Sequence, residues 1–142
     1  MSGKKKNPVP QGNYVPATRF HDMIFTAGMT PRQDGVLRFA GKVKRGEPLE
    51  TYREAVRIAA GNALTAAQNL LSEGEKIARV LALWVFVNAE QGFTEHAKLA
   101  DFASDYLSEE LGAAGTAARA SIGLGTLPGD APVEIQLICA VG

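Results

Sequence analysis

Residues Ile77 to Val87 constrain this chain more than any other stretch. Read with the two-residue period of a strand, both alternation sets are apolar. Ile77, Leu81, Leu83, Val85 and Val87 form one side, and Val80, Ala82, Trp84 and Phe86 form the other. A strand apolar on both sides lies inside a sheet and needs cover above and below. Two helical patterns flank it. One runs from about Pro48 to Leu71, where Tyr52, Val56, Ala59, Ala60, Ala63, Ala67 and Leu70 recur at three- and four-residue spacing. The other spans about Glu95 to Leu111, with Leu99, Phe102, Ala103, Tyr106 and Leu107 as its stripe and Thr94 as the expected N-cap. Two helices cover one face of a sheet, not both. The second face therefore calls for another subunit.

The remaining segments complete an order of strands, helix, strand, helix and two strands. Tyr14 to Ala27 is β-rich, with a turn expected at His21-Asp22. Thr30 to Gly46, punctuated by Pro31, Gly35, Gly41 and Gly46, reads as a mobile loop or lid that holds a further strand within Leu37 to Lys44. Gly74 is the expected stop after the first helix, and Gly112 and Gly115 after the second. Near the C-terminus, Arg119, Ser121 and Gly123 share one strand face. On the next strand, Val133, Ile135, Leu137 and Cys139 oppose Glu134, Gln136 and Ile138. The connection Gly125 to Ala131 either closes a hairpin or steps over an intervening strand. This order predicts an α+β, two-layer domain over residues 12–142, its mixed sheet covered on one face by two helices. Residues 1–11 read as a mobile leader.

Composition narrows the function classes. Lys plus Arg equals Asp plus Glu at 15 each, so no global field attracts nucleic acid or an anionic membrane. The single basic run, Lys4-Lys5-Lys6, reads as a solvated tail. Lys4 to Gln11 holds no secretory apolar segment. The longest apolar run, Val80 to Val87, is far short of the roughly 20 residues a membrane helix needs. The one cysteine, Cys139, excludes an intrachain disulfide and reads as a core thiol, which suits a reducing cytoplasm. His21 and His96 lack metal-ligand spacing. No metal or cofactor is expected, and neither is a nucleic-acid or membrane partner.

Three motifs, spread along about the whole chain, carry a family resemblance. They are Gly12-Asn13-Tyr14-Val15; Met23 to Gly28 followed by Pro31; and Arg119 with Leu127-Pro128 and Val133-Glu134-Ile135. Together they resemble the RidA/YjgF imine deaminases, known by an older name as the endoribonuclease L-PSP family. The resemblance implies a chorismate-mutase-like fold and a homotrimer with its sheets facing inward. It also implies that the 77–87 strand lies between the last two strands. Arg119 and Gln136 would then sit on one face roughly 10 Å apart, two strand spacings. The implied chemistry converts short 2-imino acids and their enamine tautomers to 2-oxo acids and ammonia, with a small carboxylate as ligand.

The same resemblance implies the roles. Arg119 grips the carboxylate through its planar fork, Tyr14 lines the cleft, and Ala27 and Gly28 bring backbone to the ligand. Two departures bear on catalysis. Ser121 stands where the family carries a cysteine, and Gln136 stands where it carries a glutamate that handles water. Gln orients a water but cannot take its proton. Glu134 is the stand-in on the same face, displaced by roughly 6.6 Å along the strand. The expected catalytic set is Arg119, Gln136, Ser121 and Glu134. The segment Ala89 to Phe93 also departs from the family pattern. A second reading is a non-catalytic carboxylate-binding or interaction trimer. Residue by residue, Arg119 is either a ligand anchor or half of an inter-subunit ion pair. An endoribonuclease reading lacks a basic patch interleaved with aromatics and a catalytic His pair.

Overall fold

Seven strands and two α-helices make up the structure, a computed structural model that describes residues 5–142. Strands Ala17–Phe20 (β1) and Met23–Thr26 (β2) form a hairpin through the expected His21-Asp22 turn, where His21 adopts φ 53°. Arg32–Gln33 (β3) and Val36–Leu37 (β4) form a separate small hairpin. After a short 3-10 turn at Leu49–Tyr52 come helix Arg53–Gln68 (α1), strand Ile77–Asn88 (β5) and helix His96–Leu111 (α2). Strands Ala118–Leu124 (β6) and Val133–Val141 (β7) finish the fold. The main sheet has the order β1-β2-β7-β5-β6, with β6 parallel to β5 and β7 antiparallel to it. The connection after β6 thus steps over β5 instead of closing a hairpin. The α+β, two-layer expectation holds.

Both helices pack on one side. The core joins Val56, Ala59, Ala60, Ala63 and Leu64 of α1 and Leu99, Ala103 and Leu107 of α2 to Ile24, Leu83, Val85, Ile135, Leu137 and Cys139 of the sheet. Alanine on α1 removes side-chain bulk, so the helix axis comes close to the sheet while burying many small apolar faces. Gly61 serves the same end between the helices: a β-carbon there would stand 3.1 Å from the Tyr106 hydroxyl.

The other sheet face is uncovered. Register places Phe25, Ile138, Ala82 and Ala118 in one row across it, then Gln136, Trp84 and Ala120, then Glu134, Phe86 and Ile122. Phe20, at 71% exposure, and Leu124 extend this apolar surface to its margins.

Several local expectations are corrected. β5 carries two bulges, between Ile77 and Arg79 and between Val80 and Ala82. Each inserts one residue and reverses the parity, so Val80 is buried with Leu83 and Val85, whereas Leu81 is exposed. No strand occupies Leu37 to Lys44. Strand β4 stops at Leu37, and only Val43 bridges to Ala89. The supposed lid is pinned: Val43 N donates to Asn88 O at 2.7 Å, and Gly41 N donates to Asp130 O at 2.7 Å. Buried Asn88 is the hub here, accepting from Lys42 Nζ at 2.9 Å and donating to Asp130 Oδ1 and Ala131 O. Helix α1 ends at Gln68, with Asn69 as its C-cap, well before Gly74. Thr94 does not cap α2. Glu95 holds that position without a side-chain cap bond, because the Glu90–Phe93 turn delivers the chain one residue later. Of the leader, residues 1–4 lie outside the described residues. From Lys5 onward it is fastened by Asn69 Nδ2, which donates to Lys5 O and Asn7 Oδ1.

Candidate functional site

The predicted site residues fall into two groups on opposite sides of the sheet. β5 decides this, because it pairs with both C-terminal strands. Leu83 lies opposite both Arg119 and Leu137, while Trp84 lies opposite both Ala120 and Gln136. Directly opposed residues in a sheet point to the same face. Arg119 therefore shares its face with Leu137, under the helices, and Gln136 points out through the open face. The expectation that Arg119 and Gln136 share a face is overturned. Alternation sets parity within each strand, but only register sets it between strands.

On the helix side, Arg119 is held by three acceptors. Its Nη1 donates to Asp101 Oδ1 at 2.8 Å and to Ser104 Oγ at 3.0 Å, and its Nη2 donates to the Ala97 carbonyl at 3.0 Å. All three acceptors belong to α2, so the ion pair lies within one subunit rather than between two. Asp101 and Ser104 sit one helical turn apart, which presents both to one guanidinium. A search confined to neighbours on the strand misses this partner; the signal was an exposed acidic position on the neighbouring helix. Ser121 follows on the same face between Arg119 and Gly123, half-buried and beside Val85. His96 lies so close over Gly123 that a β-carbon there would collide with its ring, and Phe93 meets it edge-on. His96 thus packs as a spacer between α2 and β6.

The open face gathers Glu134, Gln136, Ala27 and Gly28. Glu134 and Gln136 alternate outward along β7, while Ala27 and Gly28 lead from β2 to the Met29–Ile135 bridge. Gly28 leaves the space that the Glu134 carboxylate occupies. A β-carbon there would displace that carboxylate, whose Cδ would stand 2.8 Å away. Gln136 Nε2 donates to Thr26 O at 3.2 Å, and its amide oxygen accepts no hydrogen bond among the described residues. The Glu134 carboxyl accepts no hydrogen bond among the described residues. Lying against Phe86 and the Gly28 backbone, it is pushed above the ordinary carboxylate range by burial. It can therefore hold a proton closer to neutrality than an exposed glutamate can. Tyr14 stands apart, half exposed, with its hydroxyl accepting from Gln11 N at 2.9 Å. Cys139 is buried on the helix side, with its thiol pushed up to about 12, which makes it inert packing.

Comparison with known proteins agrees with this architecture. The family model described as Endoribonuclease L-PSP matches residues 4–141. The protein Atu1372 of unknown function from Agrobacterium tumefaciens superposes with a TM-score of 0.83 at 32% identity, over 97% of this chain and 87% of that one. A candidate endoribonuclease from Shewanella oneidensis MR-1 superposes with a TM-score of 0.85 at 25% identity, over 97% and 91% of the two chains. Protein TCP17 of Trypanosoma cruzi is 28% identical over 130 residues, which is 91% of this chain and 81% of TCP17. Among the described residues, no helix is long and apolar enough to cross a membrane.

Proposed function

Because the chain belongs to the endoribonuclease L-PSP family, also called RidA/YjgF, we propose that it is an imine/enamine deaminase acting on short 2-imino carboxylates. The observation that carries this reading is the Glu134 carboxyl, unbonded and half-buried against Gly28, next to Gln136 on an uncovered sheet face. In its protonated form Glu134 donates to the imine nitrogen and raises the electrophilicity of the imine carbon. A water accepted by the Gln136 carbonyl oxygen attacks that carbon. The resulting carboxylate takes the water's proton and delivers it to nitrogen; as the C–N bond breaks and ammonia leaves, the carbinolamine hydroxyl becomes the carbonyl and returns its proton to Glu134. The balance is imine plus water to 2-oxo acid plus ammonia.

We also propose that the open face is closed by two further copies in a homotrimer. Trp84, Phe86, Phe25 and Ile122 together form a contiguous apolar surface on the uncovered face, the kind that another subunit buries. In this assembly Arg119 serves the site of a neighbouring copy, since within its own chain it points away from Gln136. Gripping a substrate carboxylate then requires Asp101 to yield. The family's older name and the candidate endoribonuclease among its relatives suggest RNA cleavage, for which the Glu134 face offers neither a base pair of histidines nor a phosphate grip.

The test is ammonia release from 2-iminobutanoate generated in situ by a dehydratase. Wild-type protein should accelerate release, and Glu134→Gln should lose on the order of 10²–10⁴-fold. Gly28→Ala should lose activity alongside it by displacing the same carboxylate. No acceleration by wild type would return the chain to the second reading, a carboxylate-binding trimer; full activity in Glu134→Gln would overturn the role given to Glu134.

A further inference from the structure

A second feature lies between the outer side of α1, the β3–β4 hairpin and the N-terminal segment. It is a cleft of about 1210 Å³. The chain as a whole is neutral, yet six cationic side chains line this cleft against two carboxylates, Asp34 and Glu54. Two of the six are already used. Arg57 makes a bidentate pair with Glu109 at 2.8 and 3.2 Å, and Arg53 pairs loosely with Glu50 at 3.3 Å.

Four cations remain without a carboxylate partner among the described residues. Arg32 spends one donor on the neutral Gly35 carbonyl at 3.0 Å, and Arg38 spends one on the Gln33 amide oxygen. Among the described residues, the ammonium groups of Lys5 and Lys6 have no hydrogen-bond or ion-pair partner. These groups are mounted on fastened backbone. Asn62 Nδ2 of α1 donates to Thr30 O and Arg32 O, which holds the hairpin, and Asn69 holds the Lys5–Asn7 segment. Like charges held around one cavity repel each other, and guanidinium forks with spare donors favour planar or tetrahedral oxyanions. Gly28 and Tyr14 edge the cleft, so it borders the Glu134 face without including that carboxylate.

We propose that this cleft binds a small polyanion, a phosphate ester or polycarboxylate of up to nucleotide size, gripped by Arg32, Arg38, Lys5 and Lys6. At about 1210 Å³ the cleft has room for a ligand of that class. The proposal does not depend on deamination, because binding is read without turnover.

The experiment is isothermal titration calorimetry of the whole chain with tripolyphosphate, citrate and acetate at low and high salt. Saturable binding of tripolyphosphate, weakened by salt and absent for acetate, is expected. If citrate binds as well, the site reads charge; if only tripolyphosphate binds, it reads phosphate. Either result supports the site. Arg32→Gln with Arg38→Gln should weaken binding by at least about tenfold per guanidinium removed. Lys5→Gln with Lys6→Gln should weaken it less, and these two lie outside the hydrophobic core, so folding is not at stake. Arg79→Gln, on the far side of the sheet, should change nothing. Absence of saturable polyanion binding, or binding that survives both double variants, would overturn the proposal.

Discussion

The two faces of one sheet use similar side chains to different ends. Under the helices, Leu83, Val85, Ile135 and Leu137 are sealed, and Arg119 of β6 has its guanidinium divided among three acceptors of α2. On the open face, Trp84, Phe86 and Ile122 stay partly in water, and the one carboxylate, Glu134, has no hydrogen-bond partner. The contrast teaches where to look for chemistry. A charge whose hydrogen bonds are complete within the fold braces it, whereas one left incomplete beside apolar groups is available to a ligand or another subunit.

The strongest way to break this contrast is to place a charge on each face in turn. Leu83→Asp buries an uncompensated carboxylate among the helices and should cost more than about 3 kcal/mol, enough to leave little folded protein. Trp84→Glu, one residue on, should leave the helical circular dichroism intact and abolish self-association in light scattering. If Trp84→Glu unfolds the chain as Leu83→Asp does, the open face is core in its own right and the contrast fails.

Restoring a carboxylate beside Glu134 probes the open face more gently. Gln136→Glu should raise deaminase turnover by roughly tenfold or more if a second proton acceptor is what this site lacks. An unchanged or lower rate in an intact oligomer would show that the amide is the native requirement.

Asp101→Asn then separates a brace from an anchor. As a brace, the partly exposed Arg119–Asp101 pair is worth about 1 kcal/mol or less, so the variant should lose no more than a few degrees of Tm with an unchanged KM. If Arg119 grips substrate once Asp101 yields, the same variant should lower KM. Arg119→Lys should then raise KM, because the planar fork is gone.

The smallest effect belongs to a pair at the margin of the helix side, on the edge strand β1. Arg19 holds the Glu75 carboxyl, bonded at 2.6 and 2.8 Å, down from 4.5 to about 2. Its lowered pKa means that the pair's stabilisation is complete above about pH 4.5 and is lost as pH falls toward 2. In Glu75→Gln, acid unfolding should lose the portion of its pH dependence that lies in that window. An identical acid curve for both proteins would show that the pair contributes nothing.

Much of this architecture was legible in the residues themselves. The alanine stripe of α1, the Leu99–Leu107 stripe of α2 and the two-sided apolar β5 each repeat a local period, and periodicity survives folding. Gly28 was visible only as a motif; what fills the space beside it, the Glu134 carboxylate, comes from a strand more than a hundred residues later. The bulges in β5 were invisible, since an inserted residue alters pairing without altering composition. So was Asp101, because nothing along β6 points to a helix eighteen residues upstream.

Outside the bulged start of β5, the sequence by itself determined which residues share a side within a strand or helix, and from this the two-layer plan and an uncovered apolar face. Only the tertiary structure decided which side of the sheet each set occupies. That choice depends on register between strands far apart in sequence, and a shift of one residue sends every side chain to the opposite face. For Arg119 and Gln136 that single parity separates a cation held by its own helix from a glutamine beside an open carboxyl.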